Sequence, residues 1–205
     1  MLAFSQPALA HPHVFAEARL EVVATDSGML EELRHVWRFD ELFTSTVIFE
    51  FDANTDNRLD GGELAEVANV VTTSIADFNY FQSVIVKDDN IDIAPIDDML
   101  VDVVDGQLIM IFTSRTVAPV RLADNPAFSV YDPTFYTSIE FYTDEDMQLL
   151  NAPVGCGFDK IVPDPEEAIA QNQASLTDAW FSDPEGNDLS RIFATRMEIR
   201  CAPAG

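Results

Sequence analysis

The stretch H-V-F-A-E-A-R-L-E-V at His13 to Val22 puts Val14, Ala16, Ala18, Leu20 and Val22 at every second position, with His13, Phe15, Glu17, Arg19 and Glu21 between them. A period of two is the mark of a strand that buries one face and wets the other. Asp26-Ser27-Gly28 supplies a turn. The returning segment sets Leu33, His35, Trp37 and Phe39 on one face, against Arg34, Val36 and Arg38 on the other. A hairpin with one apolar face has to cover that face with another layer, so this stretch points to a mostly β fold.

Outward from the hairpin, further strands are expected at Tyr80 to Val86, Met99 to Val104, Gln107 to Thr113, Ala127 to Tyr131, Ser138 to Tyr142 and Arg191 to Arg200. Asp105-Gly106 between two apolar runs is a hairpin signal. Residues 163–190, rich in Pro, Asp, Glu, Gln and Asn, read as an irregular excursion with at most one short helix near Glu166 to Gln173. With 205 residues, 47% hydrophobic and 10% aromatic, the chain can bury one good core and is short for two large domains. The expected architecture is α+β but mostly β: a β-sandwich-like single domain over residues 11–205, with a helical insertion at 40–78.

That insertion carries the sharpest chemical signal. Asp52 to Glu63 reads D-A-N-T-D-N-R-L-D-G-G-E. Asp52, Asn54 and Asp56 fall at positions one, three and five of a twelve-residue EF-hand loop. The Arg58 carbonyl falls at seven, Asp60 at nine and Glu63 at twelve. Position six is Asn57 where glycine is usual, and Asn tolerates the left-handed backbone this turn needs. Four carboxylates in so short a loop repel one another without a cation among them, whereas the plain alternative is an acidic surface turn. Apolar periodicity on both sides, Leu42 to Phe51 and Leu64 to Phe78, reads as flanking helices. A single such loop suits a structural calcium ion better than a paired sensor.

The net charge of -25, from 36 acids against 11 bases, makes nucleic acid an improbable partner. No window is long and apolar enough to span a membrane. Residues 1–10, M-L-A-F-S-Q-P-A-L-A, end in the small-x-small pattern of a cleavage site and read as the remnant of a signal peptide. Cys156 and Cys201 suit one disulfide in an exported protein, with two buried thiols as the alternative. Leader, calcium loop and cysteine pair together indicate the periplasm.

Cleavage after Ala10 would start the chain at His11-Pro12-His13. The free amine and the His11 imidazole could chelate one ion, with His13 adding a third nitrogen suited to nickel, cobalt, zinc or copper. Pro12 has no amide proton to lose, so the square-planar chelate through the second backbone nitrogen cannot form. The competing reading is a frayed terminus with two solvated rings. His35, on the apolar face of its strand, reads first as a hydrogen-bonded core residue and second as a ligand. With three histidines, no G-x-S-x-G elbow and no Gly-rich phosphate loop, no enzyme is expected, although a terminal His alone would also suit a histidine-brace oxidase.

Five segments in order, H-P-H-V-F at His11, H-V-W-R-F-D at His35, F-N-Y-F at Phe78, Y-D-P-T-F-Y at Tyr131 and the late cysteine pair, resemble the exported proteins grouped as DUF1007. Members are often labelled periplasmic component of an ABC-type transport system and lie near nickel and cobalt permeases. The resemblance implies a periplasmic accessory in transition-metal handling, with a membrane metal permease or ABC transporter subunit as partner. It marks His11, His13, His35 and Asp132 as transition-metal candidates. Tyr131-Asp132-Pro133-Thr134 is also an ordinary turn. A solute-binding component of an importer is the alternative role, disfavoured by a chain short for two closing lobes, and a calcium-stabilised exported interaction module is another.

Overall fold

A computed structural model describes residues 12–182 and 190–202. The alternating hairpin folds as β1 (Val14–Ala24) and β2 (Leu30–Phe39), antiparallel, with Ala16 opposite Phe39 and Leu20 opposite His35. The inward set of β1 is buried and the set from Phe15 to Arg19 is exposed. At its end the alternation fails, because the register shifts between Val23 and Ala24 and Val22, Val23 and Ala24 are all buried.

The chain continues through α1 (Glu41–Phe51), α2 (Gly61–Ala76), β3 (Gln82–Val86), β4 (Asp89–Asn90), β5 (Met99–Val104), β6 (Gln107–Ser114), β7 (Ala127–Val130), β8 (Thr137–Glu140), β9 (Met147–Leu150), β10 (Cys156–Ile161), α3 (Pro165–Ser182) and β11 (Arg196–Cys201). One sheet has the order β5-β6-β2-β1-β8, and β9 also pairs with β1. The other has the order β10-β11-β7-β3-β4. β8 and β9 both run parallel to β1, the first along Val14–Glu17 and the second along Leu20–Val23, so two short strands together cover one edge of a long one.

Both sheets feed one hydrophobic cluster. Its largest fully buried side chains include Leu20, Trp37 and Met110 from the first sheet and Phe128, Met197 and Ile199 from the second. Burial on this scale is the main stabilising contribution to the fold, at about 25 cal/mol per Å² of apolar surface. The architecture is therefore a mixed α+β single domain, mostly strand, in two sheets.

The helices begin where their caps dictate. Asp40 Oδ1 accepts from Phe43 N at 2.9 Å, and its Oδ2 accepts from Phe15 N at 3.0 Å, so one carboxylate caps α1 and pins it to β1. Thr44 is buried in the same helix; its hydroxyl donates to the Asp40 carbonyl at 2.8 Å and accepts from Leu108 N at 2.9 Å, fastening α1 to β6. α2 lies on β5 and turns Val67 and Ile75 into the core.

Two expectations need correction. Residues 163–190 are not mainly irregular: α3 runs eighteen residues from Pro165, started by Asp164, whose Oδ1 accepts from Glu167 N at 2.9 Å. An Asp before Pro at the first helical position, with two Glu in the first turn, is a helix start that the polar composition masked. The strands β9 and β10 are additional to those expected. Residues 1–10, and His11 with them, lie outside the described residues.

Candidate metal centres in the helical loop and at the histidines

Between α1 and α2 the chain closes a tight turn on its own side chains. Asp52 accepts from Asp56 N at 3.1 Å and from Asn57 N at 2.7 Å. Asn54 Oδ1 accepts from Asp56 N at 2.9 Å, and Asp56 Oδ1 from Arg58 N at 2.9 Å. Asp60 Oδ1 caps α2 through Gly62 N and Glu63 N. Glu63 folds back into the loop, its Oε2 accepting from Asp60 N at 2.8 Å and its Oε1 from Ala53 N at 2.9 Å. That reciprocal pair is a capping box, and it leaves Glu63 buried. Asn57, the departure from glycine at position six, has φ 63°, the left-handed backbone expected of it.

The donor set is all oxygen, four carboxylates with one amide and one carbonyl, and hard oxygen donors of that number suit calcium. The carboxylates are held here by backbone N–H groups. Among the described residues no group of three or more His, Cys, Asp or Glu side chains converges to hold a metal ion.

The transition-metal candidates are placed apart. His13 is exposed just before β1; its N–H donates to the Tyr136 carbonyl at 2.9 Å, and its ring lies 5.2 Å from that of Tyr136. His35 is 1% exposed and stacks on Phe112 at 4.6 Å. Its Nε2 lies 3.3 Å from Ser114 Oγ, and Ser114 donates to Gln82 Oε1 at 2.6 Å. Because the Ser114 proton is committed to Gln82, Ser114 accepts from His35 Nε2–H, which leaves Nδ1 as an acceptor with no partner among the described residues. Burial pushes the His35 pKa down to about 3, with hydrogen bonding to Gln82 opposing. These are the contacts of a hydrogen-bonded core histidine.

Asp132 is likewise buried and engaged. Its Oδ1 accepts from Thr134 N at 2.8 Å and Thr134 Oγ1 at 2.6 Å, and its Oδ2 from Thr137 N at 2.8 Å. It organises the turn leading into β8, and it shares a surface cleft with Pro12. The two cysteines face one another across β10 and β11 and form a disulfide. Gln82, Asp77 and Arg191, which meet at another cleft, were passed over in the sequence. The available signal was a glutamine at the head of an otherwise apolar strand, after the Phe78 to Phe81 segment.

A mostly β, two-sheet domain with three helices among the described residues and one disulfide is the class these features define. More particularly, the chain belongs to the family described as protein of unknown function (DUF1007), which it matches over residues 1–201. A comparison with curated proteins finds no match. No helix among the described residues is long and apolar enough to cross a membrane.

Proposed function

We propose that this is an exported, periplasmic accessory of transition-metal transport, stabilised by calcium in the EF-hand-like loop Asp52 to Glu63. It would present nickel, cobalt, zinc or copper through His11 and His13 to a membrane permease or ABC transporter subunit. The observation that carries the reading is the loop, whose oxygen donors keep EF-hand spacing between two helices with Asn57 left-handed. In support of the transition-metal half, His13 is the exposed histidine among the described residues, whereas His35 is withdrawn into the core. Calorimetric titration of protein beginning at His11 tests it. Tight binding of one of the four ions that vanishes in the variant His11→Ala with His13→Ala supports delivery; equal weak binding by both proteins ends it.

One surface feature favours the second reading, a calcium-stabilised interaction module. Leu42 and Phe49 stand two helical turns apart on α1, 77% and 87% exposed, two large apolar side chains that the described residues leave uncovered. That reading expects protein beginning at His11 to bind none of the four transition-metal ions, while calcium still raises its melting temperature.

A further inference from the structure

A cleft of about 340 Å³ opens between α2 and the first sheet, away from the loop Asp52 to Glu63. Trp37, Phe39 and Met110 are buried and make its floor, whereas Phe78 and Tyr136 are 42% and 51% exposed and stand at its mouth. Its size falls at the low end of small-molecule sites. Of the candidate metal ligands, Asp132 alone lines it.

Six of its side chains are aromatic: Trp37 and Phe39 from β2, Phe43 from α1, Phe78 and Phe81 from the turn after α2, and Tyr136 from the approach to β8. Five of these rings form two connected groups. Phe81 lies 6.3 Å from Trp37 and 6.2 Å from Phe78, and Phe39 lies 5.1 Å from Phe43, centroid to centroid. An aromatic ring has a negative π face that attracts a cation within about 6 Å of its centroid. Asp132 is the one charged residue of the lining, and no Lys, Arg or His among the described residues joins it. Its carboxylate accepts from Thr134 and Thr137, uncharged donors that hold it without neutralising it.

We propose that this cleft binds a small organic cation of quaternary-ammonium type, its methyl groups among the aromatic rings and its charge balanced by their π systems and by Asp132. The ligand class follows by exclusion. A carboxylate or phosphate finds no basic partner in the lining and is repelled by a net charge of -25. A metal ion or a primary ammonium would surrender its hydration in apolar surroundings without enough acceptors to replace it. A quaternary ammonium has no N–H to leave unpaired and spreads its charge over its methyl groups. It therefore loses least on entering, and it gains a cation–π attraction that a neutral molecule of the same shape lacks. The acidic surface also raises the local concentration of cations near the mouth. The proposal is independent of calcium and of transition-metal binding.

Calorimetry on the full chain at matched ionic strength tests it, with choline and tetramethylammonium as the cations and dimethylbutanol, in which carbon replaces the choline nitrogen, as the neutral isostere. The expected result is saturable binding of at least one cation, about tenfold weaker for the isostere and in Phe78→Leu with Tyr136→Leu, a loss of about 1.4 kcal/mol. Both substituted residues are at the exposed mouth, and circular dichroism should show the variant folded. Phe49→Leu, which trims an exposed ring of α1 outside the lining, should leave binding unchanged. No saturation by either cation up to about 10 mM overturns the proposal. Dimethylbutanol binding as tightly as choline would make this a neutral apolar pocket and remove the cation. Undiminished binding in Phe78→Leu with Tyr136→Leu, or equal weakening by Phe49→Leu, would place the cation elsewhere and overturn the site.

Discussion

Charging an imidazole inside the core costs more than hydrogen bonding to Gln82 returns, so His35 stays neutral with its pKa near 3. The sign of the consequence follows from proton counting. In the unfolded chain the ring protonates near 6.5, so between about pH 6.5 and pH 3 the unfolded state binds a proton that the folded state refuses, and stability falls as pH falls. From pH 6.5 to pH 5, above most carboxylate titration, this one residue should remove about 2 kcal/mol. Urea melts at the two pH values measure it, and His35→Leu should flatten the slope; an equally steep slope in the variant would assign the loss elsewhere. The position of His35 on a buried face was legible from the period-two pattern. Its bonds were not, because Ser114 lies 79 residues away and Gln82 belongs to the opposite sheet. Asp132 was ambiguous for a different reason: the same four residues encode a turn or a ligand, and only the structure shows the three donors that converge on its carboxylate.

At the scale of elements, local codes were readable wherever one residue performs one local task. Asp40 before α1, Asp60 before α2, the Asp105-Gly106 hairpin and the alternating β1–β2 pair all fold as their chemistry dictates. The irregular reading of 163–190 failed because polar composition was weighed above the Asp164-Pro165 start, and β9 escaped because four residues are too few to show a period. The helix-loop-helix carries the sharpest element-level prediction. If calcium enters the loop, Glu63 has to exchange its backbone donors for the ion, and the folded state gains the linkage free energy of about 2–4 kcal/mol at concentrations 100 to 1,000 times Kd. Thermal melts with calcium and with chelator should differ accordingly. Asp52→Ala combined with Glu63→Ala should abolish the difference, and an undiminished calcium increment in that variant would reduce the loop to an acidic turn.

For the whole molecule, the charge balance was legible at once and the sheet order was not. β1 pairs with β2 next to it in sequence, but also with β8 and β9 more than a hundred residues on, and β11 inserts between β10 and β7; no periodicity encodes such partners. The charge has its own consequence. With 36 acids against 11 bases, compaction brings like charges together, and the ion pairs among the described residues neutralise few of the acids, Glu32 meeting both Arg34 and Arg115 while Glu198 meets both Arg196 and Arg200. Such exposed pairs contribute about 0–1 kcal/mol each, too little to offset the general repulsion. Raising sodium chloride from about 10 mM to 1 M shortens the screening length from about 30 Å to 3 Å, so the melting temperature should rise with salt. This rise should survive in the Asp52→Ala and Glu63→Ala variant, because two charges of so many leave the global field nearly intact. Calcium at matched ionic strength should then add a further increment in the wild-type chain alone. A flat salt response would show that the acids are already spaced widely enough for water to screen them, and would remove self-repulsion from the energetics of this fold.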